Sequence, residues 1–226
     1  MSGMSGDRWA TFDCYGTLVD WHGGVRDGVV EAVGAEKDAD AMVARYHEVE
    51  RRIQATEPGL AYREVMARAL ETVAAENGVT LSPGRRNLLG ESLPGWRVFP
   101  DVPGGLEEAR SRGWRLVILS NTDRDFIEAS MASIGVPFEW AVVASEIGSY
   151  KPAHGHWQAF AERSDADPAR HVHVAQSIFH DVVPGTALGL PTIWINRLGL
   201  TTETPPTREL PDLTRLADTL DELVPA

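Results

Sequence analysis

Trp9-Ala10-Thr11-Phe12-Asp13-Cys14-Tyr15-Gly16-Thr17-Leu18 is the stretch from which the fold of this chain can be read. Its first four residues are aromatic, small or β-branched and predict a buried strand over Trp9 to Phe12. Asp13 places a carboxylate at the end of that strand, and Gly16-Thr17 turns the chain. Cys14, the single cysteine, reads as a small packed hydrophobe beside the carboxylate rather than as a nucleophile.

Four further runs share this character: Arg115-Leu116-Val117-Ile118-Leu119, Trp140-Ala141-Val142-Val143, His171-Val172-His173-Val174 and Thr192-Ile193-Trp194-Ile195. Between them lie segments with helical spacing, such as Leu106 to Arg110 and Phe126 to Met131. Strands alternating with helices predict an α/β fold: a Rossmann-like parallel sheet with helices on both faces. The segment from 22 to about 95 differs. It carries no convincing strand and predicts helices over Val25 to Val33, Ala39 to Ala55, Tyr62 to Asn77 and Pro83 to Ser92, punctuated by Gly34, Pro58-Gly59, Gly78 and Pro94-Gly95. The expected organisation is a hydrolase core over 1–20 and 96–226 with an all-helical cap over 21–95. Inserted after the first strand, the cap sits over the carboxyl end of the sheet, where open α/β sheets bind ligands. Thr201 to Pro206 reads as a polar connection before a last helix near Leu213 to Leu223.

A formal net charge of −12 argues against nucleic acid or an anionic membrane surface as partner, because both are bound through clustered Lys and Arg. No run of about 18 apolar residues exists, and Met1 to Arg8 has no apolar signal-peptide core. With one cysteine there is no internal disulfide, and a cytoplasmic location is expected.

Each candidate chemical group follows a predicted strand: Asp13 the first, Ser120 and Asn121 the second, Lys151 the third and Asp181 the fourth. Taken singly, Ser120, Asp123 and Asp181 are ordinary helix caps and Lys151 a loop lysine. Together and in this order they resemble the motifs of the haloacid dehalogenase-like hydrolases. Asp13-Cys14-Tyr15-Gly16-Thr17 is similar to that superfamily's first motif, Leu119-Ser120-Asn121 to its second, Lys151-Pro152 to its third and the region ending His180-Asp181 to its fourth. The resemblance implies a mobile cap and covalent catalysis through Asp13.

Most members of that superfamily are Mg²⁺-dependent phosphatases, with a second aspartate two positions after the nucleophile to protonate the leaving oxygen. Here that position is Tyr15, and a phenol with a pKa of about 10 is a poor acid at neutral pH. Ala175-Gln176-Ser177-Ile178-Phe179-His180-Asp181 offers one carboxylate where the phosphatases have an acidic pair, and hard cations want several oxygen ligands. No metal and no cofactor are therefore expected. Tyr15 followed by Gly16-Thr17-Leu18 is instead similar to the 2-haloacid dehalogenase branch, whose aspartate displaces halide from carbon and forms an ester that water hydrolyses.

That resemblance implies Asp13, Lys151 and Asp181 as catalytic residues, with Lys151 favouring the ionised Asp13 and, paired with Asp181, positioning the water. Thr17, Ser120 and Asn121 orient Asp13 or hold the substrate carboxylate, and Tyr15 and Ser177 flank the substrate. The branch's cap arginine aligns with His47, with Arg45 and Arg63 as other candidates. Trp157 and Trp21 are expected to line a small apolar pocket. The implied partner is a small-molecule carboxylate, and the branch admits a homodimer by analogy. Ring opening of azetidine-2-carboxylate, a Mg²⁺ phosphatase and a catalytically silent binding module are the alternatives. His171 and His173 alternate along a strand and share a face, but no third ligand is spaced to complete a metal site with them.

Overall fold

In the computed structural model, which describes residues 6–34 and 37–226, six parallel strands form one sheet. Residues 1–5, part of the stretch read for a signal peptide, lie outside the described residues. The strands are β1 (Arg8–Phe12), β2 (Trp114–Ser120), β3 (Trp140–Val143), β4 (His171–Ala175), β5 (Thr192–Ile195) and β6 (Arg208–Leu210), in spatial order β3-β2-β1-β4-β5-β6. All residues of β1 and β4 are buried, as the central strands of a sheet covered on both faces must be. The strand order reverses direction at β1, so a crevice opens at the carboxyl ends of β1 and β4.

β6 was not foreseen. Only Leu210 of its three residues is buried, so the segment has no apolar run of its own and becomes a strand by pairing Leu210 with Ile195.

Between β1 and β2 lie α1 (Trp21–Val33), α2 (Ala39–Thr56), α3 (Tyr62–Glu76) and α4 (Leu88–Ser92), with no strand among the described residues from 21 to 95. Asp20 and Asp38 start α1 and α2 by accepting the backbone N–H of Gly23 and Ala41. The helix expected over Pro83 to Ser92 is shorter, because residues 83–87 form turns. Pro83-Gly84 disfavours helix, and Arg86 is drawn across to Glu64 and Glu71 of α3. After this helical insertion come α5 (Val102–Ser111), α6 (Arg124–Ile134), α7 (Ala144–Ile147), α8 (Gly155–Ser164), α9 (Val183–Ala187) and α10 (Leu216–Leu223).

Asp123 ties the helical insertion to the sheet-bearing part of the chain. Asp123, at the start of α6, does not cap its own helix; it accepts Tyr62 N at 2.8 Å and Arg63 N at 3.0 Å, capping α3 from the core side. Arg63 Nε adds a further bond at 3.0 Å. α3 has no side-chain cap from its own N-cap residue, Ala61, so Asp123 supplies it.

Candidate active site

Asp13 follows β1 directly, and its backbone N–H donates to Val174 O at 3.1 Å, which fixes the carboxylate over the crevice. The turn after it needs Gly16: its φ is +91°, and a Cβ there would come within 3.1 Å of Gln176 Oε1. That turn brings Thr17 back so that its hydroxyl donates to Asp13 Oδ2 at 2.7 Å while accepting Gln176 N at 2.9 Å. Arg197 holds the same turn from behind, donating to Thr17 O from Nε and Nη2 and forking onto Asp101.

Lys151 is 2% exposed, and its ammonium is fully used: it donates to Asp13 Oδ1 at 2.9 Å, Asp181 Oδ1 at 2.6 Å and Leu119 O at 2.8 Å. Burial raises the Asp13 carboxyl above its ordinary value; Lys151 opposes that, and the charge of Asp181 adds to it. Burial acts the same way on Asp181, but Lys151 and His173 outweigh it and hold this carboxyl well below the usual range. Lys151 itself is pushed up, because the two carboxylates overcome its burial. Asp181 is thus the firmer anion of the pair.

Behind Asp181 runs a buried chain. His173 Nε2 lies 3.0 Å from Asp181 Oδ1, His173 Nδ1 lies 2.9 Å from Thr11 Oγ1, and Thr11 Oγ1 lies 2.7 Å from His171 Nε2. The strand register places Thr11 opposite His173, so these side chains share one face of the sheet. Asp181 Oδ2 is enclosed and makes no hydrogen bond, although Asp181 faces the cavity.

That cavity, of about 540 Å³, is lined by Asp13, Tyr15, Ser120, Lys151, Ser177 and Asp181 from the sheet side and by His47, Glu50, Gln54 and Tyr62 from α2 and α3. Of the residues expected at the site, Trp157 is the one the fold does not deliver. It lies on α8, which packs on the face of the sheet against β2 and β3 and not at its rim. There it joins Trp9, Leu119 and Phe160, edge-on to His173 at 5.2 Å. Asn121 lines the cavity, but its amide does not bond Asp13; it accepts Lys151 N at 2.7 Å and donates to Lys151 O at 3.0 Å, bracing the loop that carries the lysine. The Ser120 hydroxyl is buried at the cavity without a partner. Tyr15 Oη pairs with Ser130 Oγ at 3.0 Å, and its burial raises the phenol, so it is no acid at neutral pH.

Ser177 Oγ accepts His180 N at 3.1 Å and lies 3.0 Å from His180 Nδ1. The hydroxyl has a second lone pair and one proton, so it pairs with Nδ1 in either tautomer of the ring. His180 Nε2 is enclosed and unpartnered. Of the three cap candidates, only His47 faces the cavity, with its ring 5.2 Å from Trp21 and 5.9 Å from His180. Arg45 is forked onto Glu76 and Glu48, and Arg63 is held by Asp123 and Asp125. Burial, with help from Arg51 and His22, lowers His47 to about 4, so it is neutral. Sequence reasoning missed Thr11, Glu50, Gln54, Gln176 and Arg197, which carry no motif signal, and assigned no role to His173.

A family model for haloacid dehalogenase-like hydrolases matches residues 8–189. The chain belongs to that family. Like other haloacid dehalogenase-like hydrolases, it has relatives along most of its length. It is 27% identical to the (S)-2-haloacid dehalogenase 4A of Burkholderia cepacia, over 96% of this chain and 94% of that protein. It is 29% identical to the haloacetate dehalogenase H-2 of Moraxella sp. (strain B), over 83% of this chain and 85% of that one. The L-2-haloacid dehalogenase of Xanthobacter autotrophicus with chloropropionic acid covalently bound superposes with a TM-score of 0.81 at 16% identity, covering 95% and 98% of the two chains, and so shares the fold.

The donor set does not fit the Mg²⁺ that phosphatases of this family use. Asp13 Oδ1 and Asp181 Oδ1 both face the Lys151 ammonium, which fills the space between them, and Asp181 Oδ1 also takes His173. Among the described residues no group of three or more His, Cys, Asp or Glu side chains is placed to hold a metal. What the arrangement offers instead is a carboxylate held in place, a second carboxylate with one free oxygen, and no strong acid beside either. It suits displacement of a group that leaves as a stable anion and needs no proton.

Proposed function

We propose that this hydrolase cleaves a small 2-substituted carboxylic acid without a metal, most specifically by hydrolytic dehalogenation of a 2-haloacid. Asp13 Oδ attacks the carbon bearing halogen, halide leaves with the bonding pair, and an ester joins carbon to Asp13. Water held at the free oxygen of Asp181 then attacks the ester carbonyl and gives one proton to Asp181, which passes it to the departing alkoxide oxygen; the hydroxy acid leaves, and the second water proton goes to solvent as the Asp13 carboxylate is restored. In this reading Ser120 Oγ and His180, as its Nε2–H tautomer, are neutral donors for the substrate carboxylate or the departing halide, and His47 stands where the branch carries arginine. Residues 1–20 and 96–226 act as the core and 21–95 as a cap over it, in a cytoplasmic protein.

The observation that carries this reading is Lys151 bonded to both Asp13 and Asp181 in a site where the residue two positions after Asp13 is Tyr15, whose buried phenol is no acid at neutral pH. Halide release from both enantiomers of 2-chloropropionate and from haloacetates, with and without EDTA, tests it. EDTA-resistant release abolished by Asp13→Asn is the expected result. Hydrolysis of p-nitrophenyl phosphate that depends on Mg²⁺, with no halide release, overturns it.

A further inference from the structure

The cavity is richer in carboxylates than an anionic substrate alone requires. Asp13, Asp20, Asp40, Glu50 and Asp181 face it, against the cations Lys151 and Arg197, and both cations are already committed. Four of the five carboxylates have a cationic partner: Asp13 and Asp181 share Lys151, Asp20 takes Arg97 and Asp40 takes Arg26. Glu50 is the exception among the described residues. It is 4% exposed, and Oε1 accepts the Tyr62 hydroxyl at 2.8 Å, which in turn takes Trp21 Nε1 at 3.3 Å. Its other oxygen makes no hydrogen bond. One turn further along α2, Gln54 is 5% exposed and its Oε1 is enclosed with no partner. Arg51, next to Glu50 in sequence, lies over the Phe179 ring at 5.2 Å and acts on Glu50 through its charge without forming an ion pair with it.

A buried carboxylate without a counter-ion and a buried carbonyl without a donor are each costly, and a native structure keeps such groups where something else satisfies them. Positions 43, 47, 50 and 54 of α2 follow the spacing of a single helix face, and all four line the cavity that Asp13 also lines. The complementary group is a donor with positive charge, and a primary ammonium presents three N–H bonds.

We propose that Glu50 and Gln54 form an acceptor subsite for a protonated amine, so that the acid processed at Asp13 carries an ammonium group in addition to its carboxylate. The subsite rests on the hydrolase reading above for the reacting end of the substrate and on the cap wall for its other end. Burial raises the Glu50 carboxyl to about 7, against the lowering effects of the Tyr62 hydroxyl and the Arg51 charge. An arriving ammonium drives it back to the ionised form and releases a proton.

Calorimetry with β-alanine and propionate, neither of which can react, tests the subsite on the intact protein. β-Alanine is expected to bind roughly 10-fold to 100-fold more tightly than propionate, as charge-assisted hydrogen bonds imply. At pH 7 its binding releases about half a proton, read from two buffers of different ionisation enthalpy. Glu50→Gln keeps an acceptor for Tyr62 and is expected to remove both the preference and the proton release. Gln54→Leu should reduce the preference alone. Equal binding of the two acids by the native protein, or a preference that survives in Glu50→Gln, overturns the proposal. Halide release from 2-chloropropionate and 3-amino-2-chloropropionate separates the two readings. Selective binding without halide release from either acid removes the dehalogenase reading and leaves the subsite standing; equal release with unselective binding does the reverse.

Discussion

His173 donates its Nε2–H to Asp181 Oδ1 at 3.0 Å, and that bond sets the direction of every hydrogen bond behind it. An ionised carboxylate only accepts, so the His173 proton sits on Nε2 and Nδ1 is left to accept from the Thr11 hydroxyl. Thr11 Oγ1 must then accept from His171 Nε2–H. All three donors point toward Asp181, each polarising the next. His173→Phe is expected to slow ester hydrolysis about 10-fold to 100-fold while leaving ester formation nearly unchanged. A halide burst and a covalent adduct on Asp13 seen by mass spectrometry would show it. His173→Gln, which keeps a donor, should recover part of the rate; equal slowing of both steps would remove the role.

Removing the Lys151 ammonium leaves Asp13 and Asp181 buried and facing each other without a cation. Lys151→Met is expected to abolish activity and to cost about 3–5 kcal/mol of stability in urea titrations. Adding Asp13→Asn and Asp181→Asn to that variant should return much of the stability and none of the activity.

His47 is neutral and faces the cavity, and among the described residues no lysine or arginine of α1 to α4 lines it. His47→Arg should lower KM for 2-chloropropionate about 10-fold, a gain in charge-assisted bonding, with little change in kcat. An unchanged KM in steady-state kinetics would place the substrate carboxylate away from this wall.

Asp123 caps α3 from the core. Asp123→Ala is expected to cost about 1–2 kcal/mol, as for a lost helix cap. Hydrogen exchange should locate the loss at the amides of Tyr62 and Arg63, with those of β1 and β4 unaffected.

Burial lowers His156 and His171 to about 3, helped by Lys151 for the first. In the unfolded chain both return to about 6.5 and take up protons that the folded chain refuses. Their stabilising contribution is therefore full above about pH 6.5 and is lost as pH falls toward 3, by about 2 kcal/mol each at pH 5. Glu50, raised to about 7, works in the opposite sense, its contribution being lost as pH rises through that value. Comparing native protein with His156→Gln cancels Glu50: the variant should lose less stability between pH 7.5 and pH 5.0 in urea unfolding.

The sequence by itself determined the five longer strands, the helical insertion and the rim on which Asp13, Ser120, Lys151 and Asp181 meet. Apolar runs that must be buried on both faces can form little else, and the residue after each such strand emerges at the same edge. Tyr15 at the position of the phosphatase acid was equally legible, because a side chain's chemistry does not wait for a fold. Only the tertiary structure decided what depends on a partner distant in sequence. Arg208 to Leu210 became a strand because Leu210 met Ile195. Trp157 left the site because α8 lies on the sheet's face, Asn121 turned to the Lys151 backbone, and Arg45 and Arg63 were taken by acidic neighbours. His173 acquired a partner in Asp181, and Glu50 was left without an ion pair among the described residues, only when strands and helices far apart in the chain closed around the same cavity.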